Sequence, residues 1–187
     1  MKEEIQMKIY DITQELFACS VYPGDPSPER QVKLRIADGA VCNLTAFQMC
    51  AHNGTHVDAP YHFVDGGKTI DQVALERFIG SAYVTEHQGD ITAADAEAIL
   101  AKARSLDAEA AKVFAGAGIL LFGNESQTVG PLDAPMNVHL IMLGAEIVLL
   151  EGIRLGAVEE GIYLLNAAPL NLGGADGAPC RAVLMEL

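Results

Sequence analysis

The stretch His52-Asn53-Gly54-Thr55-His56-Val57-Asp58-Ala59-Pro60-Tyr61-His62 holds three of the chain's five histidines and one aspartate. His52, His56, Asp58 and His62 all carry even numbers. In extended backbone, residues two apart share a face, so these four side chains converge if the segment is extended. Gly54 and Pro60 bend the segment and argue against a continuous helix. Imidazole nitrogens and a carboxylate are donors that zinc and manganese favour, because their lone pairs replace the ion's water shell. Donors gathered on one side leave coordination positions open for water, the arrangement of a catalytic site. Thr55 can hydrogen-bond a group that orients a ligand. The plain alternative is three ordinary histidines in a strand and turn. Packed together without an ion, however, three imidazoles and a carboxylate would strand protons, so the cluster points to a metal.

Outward from this stretch, the first third reads as β-structure. Residues 7–12 and 31–36 alternate apolar and polar side chains, and residues 41–50 form a strand running into the histidines. Tyr22-Pro23-Gly24-Asp25-Pro26-Ser27-Pro28 is a rigid, turn-rich loop. In the middle, Thr92 and Asp95 mark the start of a helix running to about Ala103. Asp107 caps a second helix over 108–115, stopped by Gly116 and Gly118. Residues 119–122 form a short buried strand. Pro135 suits a first helical position, with a helix over 136–143 ended by Gly144. Strands follow at 146–150, 161–165 and 181–186. The order implies an α/β domain with a mostly β core. Without a linker or low-complexity tract, residues 1–187 read as one domain.

The formal net charge of −13 repels phosphate backbones and anionic membranes, so nucleic acid and membrane are poor partners. Cys19, Cys42, Cys50 and Cys180 form no C-x-x-C pair and read as reduced thiols of a cytoplasmic protein. The polar N-terminus, Met1-Lys2-Glu3-Glu4-Ile5-Gln6, does not resemble a signal peptide.

The segment from His52 to Phe63 resembles the H-x-G-T-H-x-D-x-P-x-H-F signature of the cyclase family of metal-dependent hydrolases, which includes bacterial kynurenine formamidases and isatin hydrolases. Tyr22-Pro23-Gly24-Asp25 is similar to the family's aromatic-P-G-D loop, and Ala175-Asp176-Gly177-Ala178-Pro179-Cys180-Arg181-Ala182 to its D-x-x-P-x-R-A stretch. The resemblance implies a swivelling β/β/α domain with a β-barrel-like core flanked by helices. It also implies a second ligand pair twelve residues apart, which His139 and Glu151 match. By that resemblance, His52, His56 and Asp58 hold a first zinc, Asp58 bridges, and His139 and Glu151 complete a second. Manganese and a single ion also occur in the family. His62 is the implied acid/base residue, and Tyr22 stands where the formamidases carry a tryptophan that walls the aromatic substrate. Relatives form homodimers or homotetramers, and the loop from Tyr22 to Pro28 is the candidate for reaching a neighbouring subunit.

The departures concern substrate. The chain has no tryptophan. Gly123-Asn124-Glu125-Ser126-Gln127-Thr128-Val129-Gly130 replaces the family's D-T-P-S-x-D segment, and the region over 92–115 is shortened. The expected reaction is hydrolysis of the amide C–N bond of a small aryl substrate, an arylformamide such as N-formylkynurenine. The alternatives are ring opening of a cyclic amide and a metal-binding module without catalysis. A nucleophilic hydrolase using Cys50 beside His52 is a further class, but no G-x-S-x-G elbow is present. Glu125 and Gln127 follow a predicted strand and are candidates for substrate contact. Arg181 belongs to the C-terminal motif and not to a carboxylate clamp. His87 stands alone.

Overall fold

The structure, a computed structural model, describes residues 7–86 and 107–186. The helix expected over 92–103 and the isolated His87 lie outside the described residues. The strands are β1 (Ile9–Asp11), β2 (Glu29–Leu34), β3 (Leu44–Gln48), β4 (His56–Asp58), β5 (Ile79–Val84), β6 (Leu121–Gly123), β7 (Val148–Glu151), β8 (Gly161–Asn166), β9 (Gly177–Pro179) and β10 (Val183–Met185). Two α-helices are described, α1 (Ala108–Ala117) and α2 (Met136–Gly144).

One sheet has the order β1-β10-β8-β5 and a second the order β6-β7-β4-β9, while β2 and β3 form a separate hairpin. The second sheet is the middle layer. One of its faces contributes Val57, Val148, Leu150 and Ala178 to a core shared with Val84, Tyr163, Leu165 and Leu184 of the first sheet. Its other face contributes Phe122 and Leu149 to a core shared with Ala110, Phe114, Val138, Met142 and Leu143 of the helices. The architecture is therefore sheet on sheet on helix, the expected β/β/α layering. Among the described residues both four-stranded sheets are open, so the barrel-like core is two stacked sheets and not a closed barrel.

Local signals account for the helices. The Asp107 carboxylate accepts from Ala110 N–H at 2.7 Å, a side-chain cap at the helix start. Helix α1 runs through Gly116 and ends at Gly118, whose φ of +69° supplies the left-handed cap. Pro135 is the N-cap of helix α2 and not its first residue, and Gly144, expected to end the helix, lies in its last turn with Ala145 as the C-cap.

Three differences from the sequence reading bear on the site. Strands β5 and β9 were not anticipated. The histidine stretch is extended only over β4: His52 lies in the preceding turn, and His62 ends a 3-10 turn spanning Pro60–His62. Residues 31–36 alternate with the period of a half-buried strand, yet β2 pairs with β3 in a hairpin that leaves Val32, Leu34, Leu44 and Phe47 exposed.

Candidate metal centre

Strand β4 pairs antiparallel with β7 on one side and with β9 on the other. Val57 points into the core between the sheets, so strand alternation turns its neighbours His56 and Asp58 toward the helices. On β7, Val148 and Leu150 face the intersheet core, which turns Leu149 and Glu151 the same way as His56. His56 stands directly opposite Glu151 in the register. Helix α2 buries His139 on the face that carries Val138, Met142 and Leu143.

His56 Nε2 lies 3.4 Å from both Asp58 Oδ1 and Glu151 Oε2. His52 Nδ1 lies 2.8 Å from Asp58 Oδ1. His139 Nε2 lies 3.3 Å from Glu151 Oε1 and 3.6 Å from Asp58 Oδ2. Among the described residues three groups are each compact enough to share one ion: His52, His56 and Asp58; Asp58, His139 and Glu151; and His52, His62 and Asp176. Asp58 belongs to the first two.

The outer nitrogens are tied to carbonyl oxygens. His56 Nδ1 lies 2.9 Å from the Gly54 carbonyl and His139 Nδ1 2.8 Å from the Pro135 carbonyl. A carbonyl only accepts, so each Nδ1 carries a proton, and each Nε2 is the nitrogen that faces the carboxylates. Asp58 Oδ2 is buried and has no hydrogen-bond partner. A buried carboxylate oxygen without a partner is costly, and a cation between the facing donors satisfies it. The donor set therefore fits a divalent metal.

The protonation pattern agrees. Burial pulls the His52 imidazole down, but its hydrogen bonds to Asp176 and Asp58 outweigh burial and leave its pKa raised to about 11. Burial likewise opposes ionisation of His56, and the bonds to Asp58 and Glu151 raise it to about 9. Asp58 is held well below the usual carboxylate range, against burial, by His52 and His56. Without a metal, protons supply the positive charge that the carboxylates demand. Burial pushes His62 the other way, below its ordinary value, which favours the neutral imidazole at neutral pH.

Residues 10–122 match the family model for Cyclase, described as "Putative cyclase". The kynurenine formamidase of Salinibacter ruber is 33% identical over 96% of this chain and 98% of its own length. This chain belongs to the cyclase family. A protein described as a "predicted metal-dependent hydrolase" from Bacillus stearothermophilus has a similar structure, with a TM-score of 0.82 and 26% identity, covering 97% of this chain and 100% of the other. The isatin hydrolase A of Ralstonia solanacearum matches with a TM-score of 0.82 at 20% identity, over 97% and 92% of the two chains, a likeness of fold.

In this member of the cyclase family the structure brings His52, His56, Asp58, His62, His139 and Glu151 together. The His62 ring stacks on His52 with centroids 4.0 Å apart and lies 6.2 Å from His139. Tyr22 is held from the early loop by a contact outside the six. Its hydroxyl donates to the Leu132 carbonyl at 3.3 Å, and among the described residues no hydrogen bond or ring contact joins it to the six. Thr55 accepts from Gln14 N–H at 2.9 Å and donates to the Gly152 carbonyl at 2.8 Å, bracing the backbone next to Glu151. Glu125 accepts from Leu155 N–H at 2.7 Å, and Gln127 donates to the His52 and Gly54 carbonyls at 3.0 and 3.2 Å. Both candidates for substrate contact thus make main-chain ties. Cys50 Sγ lies 3.9 Å from an Asp25 carboxylate oxygen, and no described histidine pairs with it as a base. Arg181 pairs with Asp11 at the surface. Asp176, which residue type alone does not mark as a site residue, contacts both His52 and His62. Its signal was its place at the head of the C-terminal motif.

Proposed function

We propose that this chain hydrolyses the amide C–N bond of an arylformamide such as N-formylkynurenine at a divalent-metal centre, with His52, His56, Asp58, His139 and Glu151 as ligands. The observation that carries the reading is the buried Asp58 carboxylate shared by two ligand groups, with His62 stacked on one of its ligands. The curated relatives named kynurenine formamidase, up to 33% identical over nearly the full chain, supply the substrate class. Zinc is the preferred ion and manganese the second choice. Two ions fit the two groups.

When bound, the metal polarises the substrate carbonyl and brings a water molecule toward hydroxide at neutral pH. His62, which burial favours as the neutral imidazole, would take a proton from the attacking water and deliver it to the leaving nitrogen. Asp58, Glu151 and the carbonyl-tied imidazoles hold their lone pairs in place before substrate arrives, so little reorganisation is left for the reaction. Tyr22 walls the aryl group from the early loop.

The reading extends to a cytoplasmic homodimer or homotetramer acting on a small molecule. The four free cysteines and the exposed apolar side chains of the β2–β3 hairpin support it. A net charge of −13 disfavours nucleic acid, and among the described residues no helix is long and apolar enough to cross a membrane.

The test combines metal analysis with an assay of N-formylkynurenine and isatin on protein stripped by a chelator and reloaded with zinc or manganese. Formylkynurenine turnover should vanish on stripping and return with metal. Isatin turnover alone would favour ring opening. Turnover of neither substrate by metal-loaded protein would overturn both. His62→Ala should keep the metal and lower kcat by about 10²–10⁴-fold. Full activity in that variant would remove His62 from the proton path.

A further inference from the structure

Asp176 lies one residue before β9, and the main chain sets its place. Ala59 N–H donates to the Asp176 carbonyl and Ile70 N–H to the Ala175 carbonyl, each at 2.9 Å. The next residue, Gly177, pairs with Asp58 across β9 and β4. The register that fixes the shared metal carboxylate therefore also fixes Asp176.

One oxygen of Asp176, Oδ2, lies 3.0 Å from His52 Nε2 and 3.2 Å from His62 Nδ1. The two rings stack with 23° between their planes, so each presents an edge nitrogen to that oxygen. An ionised carboxylate only accepts, and a neutral imidazole carries a single N–H. Donation from His52 Nε2 leaves Nδ1, the nitrogen facing Asp58, free to bind metal. Donation from His62 Nδ1 leaves the lone pair on Nε2.

We propose that Asp176 is a positioning residue that acts through His62: Oδ2 holds the Nδ1–H, so that Nε2 is the nitrogen that accepts and returns the proton. The inference rests on the reading of His62 as the proton carrier. The same oxygen anchors His52, so metal ligand and proton carrier are held as one stacked unit. When His62 Nε2 takes a proton from water, the imidazolium formed keeps its Nδ1–H on Asp176, whose charge stabilises it. Nε2 then gives that proton to the leaving nitrogen, and Asp176 stays ionised throughout. This is the logic of an oriented imidazole in triad enzymes, with a metal centre in place of a serine.

Zinc-loaded Asp176→Asn tests the role, because the amide preserves size and removes the charge. The expected result is a kcat lower by about 10²–10³-fold, with KM within about threefold of wild type and zinc content unchanged. In a His62→Ala background the same substitution should cost less than about twofold more, because the group it acts through is gone. Long-range ¹H–¹⁵N spectra of zinc-loaded wild type should show His62 as the Nδ1–H tautomer. Wild-type kcat in Asp176→Asn, loss of zinc as its main effect, additive losses in the double variant, or an Nε2–H tautomer in wild type would each overturn the proposal. The tautomer is read without substrate or variant. It still decides the matter if Asp176→Asn misfolds or if the wild type turns over neither amide. The latter result sinks the proposed reaction separately.

Discussion

His56 and Glu151 face each other across the antiparallel pair of β4 and β7, with His56 Nε2 3.4 Å from Glu151 Oε2. The other oxygen of Glu151 reaches His139 Nε2 at 3.3 Å and accepts from Val129 N–H at 2.8 Å. One buried carboxylate thus joins the middle sheet, helix α2 and the loop before that helix. Glu151→Gln keeps the shape and removes the charge. Metal affinity should fall by about 100-fold or more, read by competition with a chromogenic chelator. Unchanged affinity would take Glu151 out of the ligand set.

Gly177 is the second sensitive point. A Cβ there would lie 2.7 Å from His52 Cε1 and 2.7 Å from the Val57 carbonyl oxygen. Neither neighbour can give way without moving the centre, since one is a candidate ligand ring and the other is β4 backbone. Gly177→Ala should cost about 1–3 kcal/mol in urea unfolding and lower metal occupancy together. Wild-type stability with full occupancy would show that the ring and strand relax freely.

Thr55 tests the brace beneath the centre. Its hydroxyl accepts from Gln14 N–H and donates to the Gly152 carbonyl, and the residue is buried. Thr55→Val keeps the volume and leaves the Gln14 N–H without its acceptor. The expected cost is about 1–3 kcal/mol at the denaturation midpoint, with the metal retained. A neutral effect would mean that water replaces the hydroxyl.

Cys180, whose N–H donates to the Thr55 carbonyl beside His56, offers a pH signature of its own. Burial pushes its thiol up to about 12, whereas Cys42 is exposed. The unfolded thiol ionises near about pH 8.5, so above that value the folded state holds a proton that the unfolded state releases. This contribution to stability is present below about pH 8.5 and declines as pH rises toward 12. At pH 8, an alkylating reagent should label Cys42 quickly and Cys180 only after denaturant is added. Equal labelling rates in the folded protein would contradict the burial of Cys180.

Much of the chain's local structure was legible. Asp107 and Gly118 announced helix α1 because a carboxylate cap and a left-handed glycine are signals carried by single residues. The parity of His56 and Asp58 also held, because both lie on one strand. It failed for His52 and His62, which reach the site through a turn and a 3-10 turn. Strand β5 carries no clear sequence signal because Gly80, Ser81 and Ala82 interrupt its apolar alternation, and pairing with β8 makes it a strand. Strand β9, Gly177-Ala178-Pro179, has no β-forming side chain and exists through pairing with β4.

By itself, the sequence determined the chemistry on offer: three close histidines, an aspartate, a matching His139 and Glu151 pair, and the family to which they belong. Those signals are local or lie in fixed spacings, so they survive without coordinates. Only the tertiary structure decided how closely the donors gather about Asp58, whose bridging place the family resemblance already implied, and that Asp176 holds two imidazoles on one oxygen. Both facts depend on the register of β7 and β9 against β4, and strand pairing between distant segments is set by burial of the whole sheet and not by any short stretch of chain.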